Sequence, residues 1–259
     1  MATAMEVTTT SVTVATMSIK ASVTHRFLAV TVGGVGLLLL ALSIPRTIAY
    51  AYLAATPARV LSDLNSGLKI DQIDLTKARE RYFKALSILP DDAVISQDIG
   101  RLDLRRADAP THDDDTRANI LKSASWYFQA SIKAAPARPF PWSLDAYVQS
   151  QFPASPHEIN ERLRMSYFLG PREASSILLR VHVGCENWNH LNKDVQLFVS
   201  NDLKTLWGDI RLRQNLVPIY LNASLVTRVA IRNVILSDEE SEALFNRILK
   251  KALGHLNRS

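Results

Sequence analysis

Nineteen consecutive residues without a charge, Phe27 to Pro45 (FLAVTVGGVGLLLLALSIP), constrain this chain more than anything else in it. As a helix the stretch is about 28 Å long at roughly 1.5 Å per residue, which matches the roughly 30 Å hydrocarbon core of a bilayer. A cleavable signal peptide has an apolar region of about 7–15 residues and a small-x-small cleavage site. Here the run is longer, and the candidate site, Ala49-Tyr50-Ala51, lies beyond it. A buried core helix is disfavoured by Gly33, Gly34 and Gly36, which cost helix stability in water and are tolerated in lipid. The stretch therefore reads as an uncleaved transmembrane helix at 27–45, its apolar character continuing to about residue 55 through Tyr50 and Tyr52. Ala29 and Gly33 form one small-xxx-small pair, read as lipid-facing texture. Lys20 and Arg26 on one flank balance Arg46 and Arg59 on the other, so the positive-inside count is a tie. The short N-terminal tail and long C-terminal part favour a tail in the cytoplasm and an extracytoplasmic domain.

Residues 1–26 are rich in Thr, Ser, Val and Ala without helical period, and are expected to form a disordered cytoplasmic tail. Met17 would begin a shorter version of it. Beyond residue 45 stand 28 Lys and Arg against 24 Asp and Glu, spread along the chain. That is not the clustered basic stripe of a nucleic-acid binder. Cys185 is the sole cysteine, so no intramolecular disulfide can form. Nine glycines in 259 residues are too few for the turns of an all-β domain.

From Asp71 onward the pattern is successive helices. DLTKARERYFKALSILP sets Ala78, Tyr82, Ala85 and Leu86 on one face at the 3.6-residue period, and Pro90 ends it. AVISQDIGRLDLRRA groups Val94, Ile95, Ile99 and Leu102. A loop, DAPTHDDDT, precedes the helix NILKSASWYFQASIKAA, which stops at Pro136. PARPFPW reads as a turn and SLDAYVQSQ as a short helix. Ser155-Pro156-His157-Glu158 is a capping-box start, and Gly170-Pro171 a stop. Further helices are expected at 172–183, 192–207 and 211–226. A second capping box, Ser237-Asp238-Glu239-Glu240, opens a last amphipathic helix. Leu244, Ile248, Ala252 and Leu256 form one stripe there, with Phe245, Leu249 and Leu253 beside it.

Three helices share a spacing: Ala78, Tyr82, Ala85, Pro90; then Ala124, Phe128, Ser131, Pro136; then, more weakly, Ile159, Leu163, Ser166, Pro171. This resembles the second helix of tetratricopeptide repeats, whose period is about 34 residues. Counting on from Pro90 puts Ile99-Gly100 on that family's Leu-Gly pair. Counting on from Pro136 puts Trp142 on its Trp and Ala146 on its small residue. Ser96, Asp103, Asp145 and Gln149 depart from the pattern. The resemblance implies an all-α fold: an N-terminal transmembrane helix, a degenerate tetratricopeptide-like α-solenoid over 60–171 and a helical extension over 172–259. A single-span anchor carrying such a domain is also similar to accessory proteins of bacterial envelope polysaccharide assembly.

Among chemistry-bearing residues, His182, Cys185 and His190 lie close together, but a zinc site wants four ligands, and a Cys-His nucleophile needs an orienting third group. Neither a catalytic residue, a cofactor nor a metal is expected. His112 with Asp113, Asp114 and Asp115 reads as a solvated acidic loop, and Asn222-Ala-Ser224 matches a glycosylation sequon. Gln97, Arg101 and Arg105, at i, i+4 and i+8, share one helix face. In the repeat's register that face looks into the concave groove, where guanidinium groups suit a carboxylate-bearing peptide or an acidic glycan. These three are the candidate partner-binding residues. The expected function is a scaffold, bound to the lipid bilayer of the inner (cytoplasmic) membrane, that recruits a partner protein. The alternative is an envelope-acting enzyme or regulatory subunit with an unrecognised active site.

Overall fold

The fold comes from a computed structural model that describes residues 7–110, 112–152, 156–236 and 238–256. Side chains before Leu28, and those of Ala29, His255 and Leu256, lie outside that description. Among the described residues there are twelve α-helices, two short 3-10 turns and no strand.

Helix α1 runs Val7–Leu53. It takes in residues expected to be an irregular tail, because no Gly or Pro stands between Val7 and Val32 to interrupt a helix already formed by the apolar run. Extending an existing helix is far easier than starting one. Within α1, Val30–Leu53 is long and apolar enough to cross a membrane. Val32, Val35, Leu37 to Leu40, Leu42 and Ile44 are all exposed. A contiguous apolar surface of that size does not persist in water, and its exposure removes the buried-core reading.

The remainder is a succession of packed helices: α2 (Thr56–Asn65), α3 (Gln72–Ile88), α4 (Ala93–Ala107), α5 (Asp114–Ala134), α6 (Pro139–Ser150), α7 (Pro156–Leu169), α8 (Ala174–Glu186), α9 (Lys193–Gly208), α10 (Leu216–Asn222), α11 (Leu225–Ile235) and α12 (Glu239–Leu256). Ala55, at φ 60°, turns the chain sharply between α1 and α2.

Caps set several boundaries differently from expectation. Asp113 accepts from Thr116 N at 2.7 Å, and Asp114 and Asp115 occupy the first turn of α5. Carboxylates favour a helix N-terminus, so half of the supposed acidic loop is helix. Pro139 and Pro141 sit in the first turn of α6, where proline is tolerated. The helix expected at 211–226 is two, because Ser224 caps α11 by accepting from Thr227 N. Asp238 caps the start of α12; Ser237 and Ser155 lie outside the described residues.

The first three positions of each set are buried: Ala78, Tyr82 and Ala85; Ala124, Phe128 and Ser131; Ile159, Leu163 and Ser166; the prolines that end the sets, Pro90, Pro136 and Pro171, are exposed. Gly100 belongs to the same packing. A Cβ there would lie 2.5 Å from the Phe128 ring, so only glycine lets α5 approach α4 this closely. Gly184 does the same for Val199 between α8 and α9, again at 2.5 Å.

Candidate partner-binding surfaces

Three aspartates that break the repeat pattern, or lie past it, hold the helices together. Asp103 on α4 is fully buried and accepts from Arg79 Nε on α3 at 2.6 Å and from Ser123 Oγ on α5 at 2.8 Å. Asp145 on α6 accepts from Arg162 Nε on α7 at 2.6 Å and from Ser125 Oγ on α5 at 2.7 Å. Asp202 on α9 accepts from Arg180 Nε on α8 at 2.9 Å. Arg180 is itself fully buried; its Nη1 donates to Gly170 O at 2.8 Å and its guanidinium lies 4.2 Å over the Tyr167 ring. These charges are structural, each shared between neighbouring helices. Burial nonetheless pushes the Asp202 carboxyl up, with the Arg180 charge opposing it.

The predicted face of α4 is in place, and its three residues differ in availability. Gln97 is buried, and its Oε1 accepts from Arg138 Nη2 at 2.9 Å. Arg101 donates to Asn65 on α2 and pairs with Asp98, which also accepts from Tyr82 Oη at 3.2 Å. Its guanidinium lies 5.8 Å from the Phe140 ring centroid. Arg101 thus belongs to a polar seam joining α2, α3 and α4. Burial raises the Asp98 carboxyl, with the Arg101 charge opposing it. Arg105 is the most accessible, 3.6 Å from Asp108 in a loose surface pair.

The clearest concavity lies elsewhere, in the C-terminal extension. A groove of about 990 Å³ runs between α10 and α12, floored by Val217, Leu221, Leu244 and Ile248. Its rim carries the cations Arg213 and Lys251, with Ile210 at one end, and no acidic residue lines it. Phe245 turns the other way, into the core, edge-on to Tyr220 at 5.0 Å and to Trp207 at 5.9 Å. The two stripes legible on α12 therefore separate: the Phe245 stripe docks the helix, and the Leu244–Ile248–Ala252 stripe is left for the groove. What the sequence did not convey is that α10, a seven-residue helix started by a 3-10 turn, forms the facing wall.

His182 lies tilted against Tyr147 at 5.5 Å and 3.1 Å from Glu186, while Cys185 is buried in the core. The structure does not converge His182 and Cys185 on a shared point. Burial pushes the Cys185 thiol up to about 12. No protein family, curated protein or solved structure matches the chain.

Proposed function

We propose that this chain is a single-pass protein of the inner (cytoplasmic) membrane whose helical domain, similar to tetratricopeptide repeats, holds a partner protein beside the bilayer. The observation that carries this is Ala49. It lies in α1, four residues after the uncharged run ends at Pro45, and is fully buried in one core cluster with Leu75, Ala78, Tyr82, Ile95 and Ile99. The anchor helix is therefore also a structural helix of the domain. A domain so rigidly joined to a span suits positioning a partner.

The C-terminal groove is the contact surface. Its apolar floor and all-cationic rim fit an amphipathic segment carrying acidic residues, bound helix-in-groove. Arg105, in a loose surface pair with Asp108, offers a second anion contact on the other half of the domain. Bacterial envelope polysaccharide assembly is the setting this architecture resembles.

The test is photo-crosslinking in native membranes, with a photoreactive residue at Gln214 on the groove wall and, as control, at exposed Lys122. A discrete adduct at 214, absent at 122 and lost with Ile248→Asp, is expected. Adducts equal at both positions would remove the scaffold reading.

A further inference from the structure

The geometry points to the domain lying with one edge on the bilayer surface: the edge formed by the turns after α3, α5, α7 and α9. The inference rests on reading α1 as a membrane span.

Ala49 is in the domain core four residues, roughly 6 Å, beyond Pro45. The headgroup layer on each side of the hydrocarbon is about 5–8 Å thick. The domain therefore begins within the headgroup layer, with no linker to lift it away. Which edge faces the lipid follows from contacts. Tyr50 Oη on α1 donates to Asp92 Oδ2 at 3.2 Å, and Arg46 shares a cleft of about 540 Å³ with Pro90 and Arg138. The turns after α3 and α5 thus flank the end of the span. The turn after α7 is next in line, because a Cβ on Gly170 would meet Pro139 at 2.6 Å. The turn after α9 follows, because Arg180 bonds both Gly170 O at the end of α7 and Asp202 in the last two turns of α9.

Two large apolar side chains stand out from this edge. Phe168, in the last turn of α7, is 79% exposed, and Ile210, in the turn after α9, is 75% exposed. Ile210 also closes one end of the groove between α10 and α12, whereas Phe168 does not line it. Exposed Arg172 and Arg211 stand near them, Arg211 paired with Asp209 at 2.9 Å and Arg172 beside Glu173. Apolar side chains beside cations are what binds the interface of a membrane with anionic lipid. The opposite edge carries the Asp113–Asp115 run, while Asp91 and Asp92 in the turn after α3 line the cleft beside Arg46, so the apolar side chains rather than net charge select this edge.

Full-length protein reconstituted in vesicles of phosphatidylcholine and phosphatidylglycerol tests this. Val35→Cys, Phe168→Cys, Ile210→Cys and Asp115→Cys are labelled singly with an environment-sensitive fluorophore, and lipids carrying a nitroxide quencher are added. Native Cys185 is buried, and the unsubstituted chain controls for its labelling. The expected result is loss of fluorescence at 35, 168 and 210 and none at 115. Quenching at 35 with none at 168 or 210 overturns the inference and leaves the anchor standing. No quenching at 35 overturns both.

Discussion

Arg180 is the residue on which most of the C-terminal half depends. It is the largest fully buried side chain, and it ties Asp202 to the end of α7. Removing one partner of a buried ion pair leaves an unpaired charge and costs about 3–5 kcal/mol. Arg180→Ala should lose stability on that scale in a urea titration; a loss of only a few tenths would mean that water enters the site. Asp98 makes a second prediction. Burial raises its carboxyl above the ordinary aspartate value of about 3.9. The folded state therefore binds the Asp98 proton more tightly than the unfolded chain does. That contribution to stability is complete below the unfolded value and is lost as pH rises through the folded one. The stability of the native chain minus that of Asp98→Asn should fall as pH rises across this window. A constant or rising difference would show that Arg101 outweighs burial. Cys185 gives a third: its thiol is buried and pushed up to about 12. It should resist maleimide in the folded protein and react in denaturant.

At the scale of elements, two glycine seams set how closely paired helices approach. Gly100→Ala would press a methyl against Phe128, and overpacking of this kind costs about 1–3 kcal/mol. Pairing it with Phe128→Leu should recover part of the loss in a double-mutant cycle; strict additivity would mean that the two helices simply move apart. The recurring Ala/aromatic/Pro spacing made the Gly100–Phe128 seam visible in the sequence, since small and aromatic residues at fixed offsets are a local signal, but nothing in it marked Gly184 against Val199. The stripes of α12 were equally plain. The buried aspartates were not. Asp103 and Asp145 looked like departures from a repeat, because a charge announces burial only when its partner is known, and Arg79 and Arg162 lie 24 and 17 residues away. Arg101 is hard to read for the same reason: on a bare helix face it reads as free, whereas it bonds Asn65 and Asp98. Reversing Arg101 should therefore destabilise the domain, and reversing Arg105 should not; equal melting temperatures for the two variants would contradict the polar seam.

For the whole molecule, the long apolar helix and the domain are one object. α1 is 47 residues long, and its C-terminal turns supply Ala49 to the domain core and Tyr50 to the cap of α4. Cleavage at Ala49-Tyr50-Ala51 would therefore strip a core element from the fold as well as release it from the membrane. The measurement that tests this most directly is alkaline carbonate extraction of membranes from cells expressing the full chain. The account predicts that the protein stays in the pellet at full length. Release into the supernatant, or a mature chain beginning near Ala51, would contradict it.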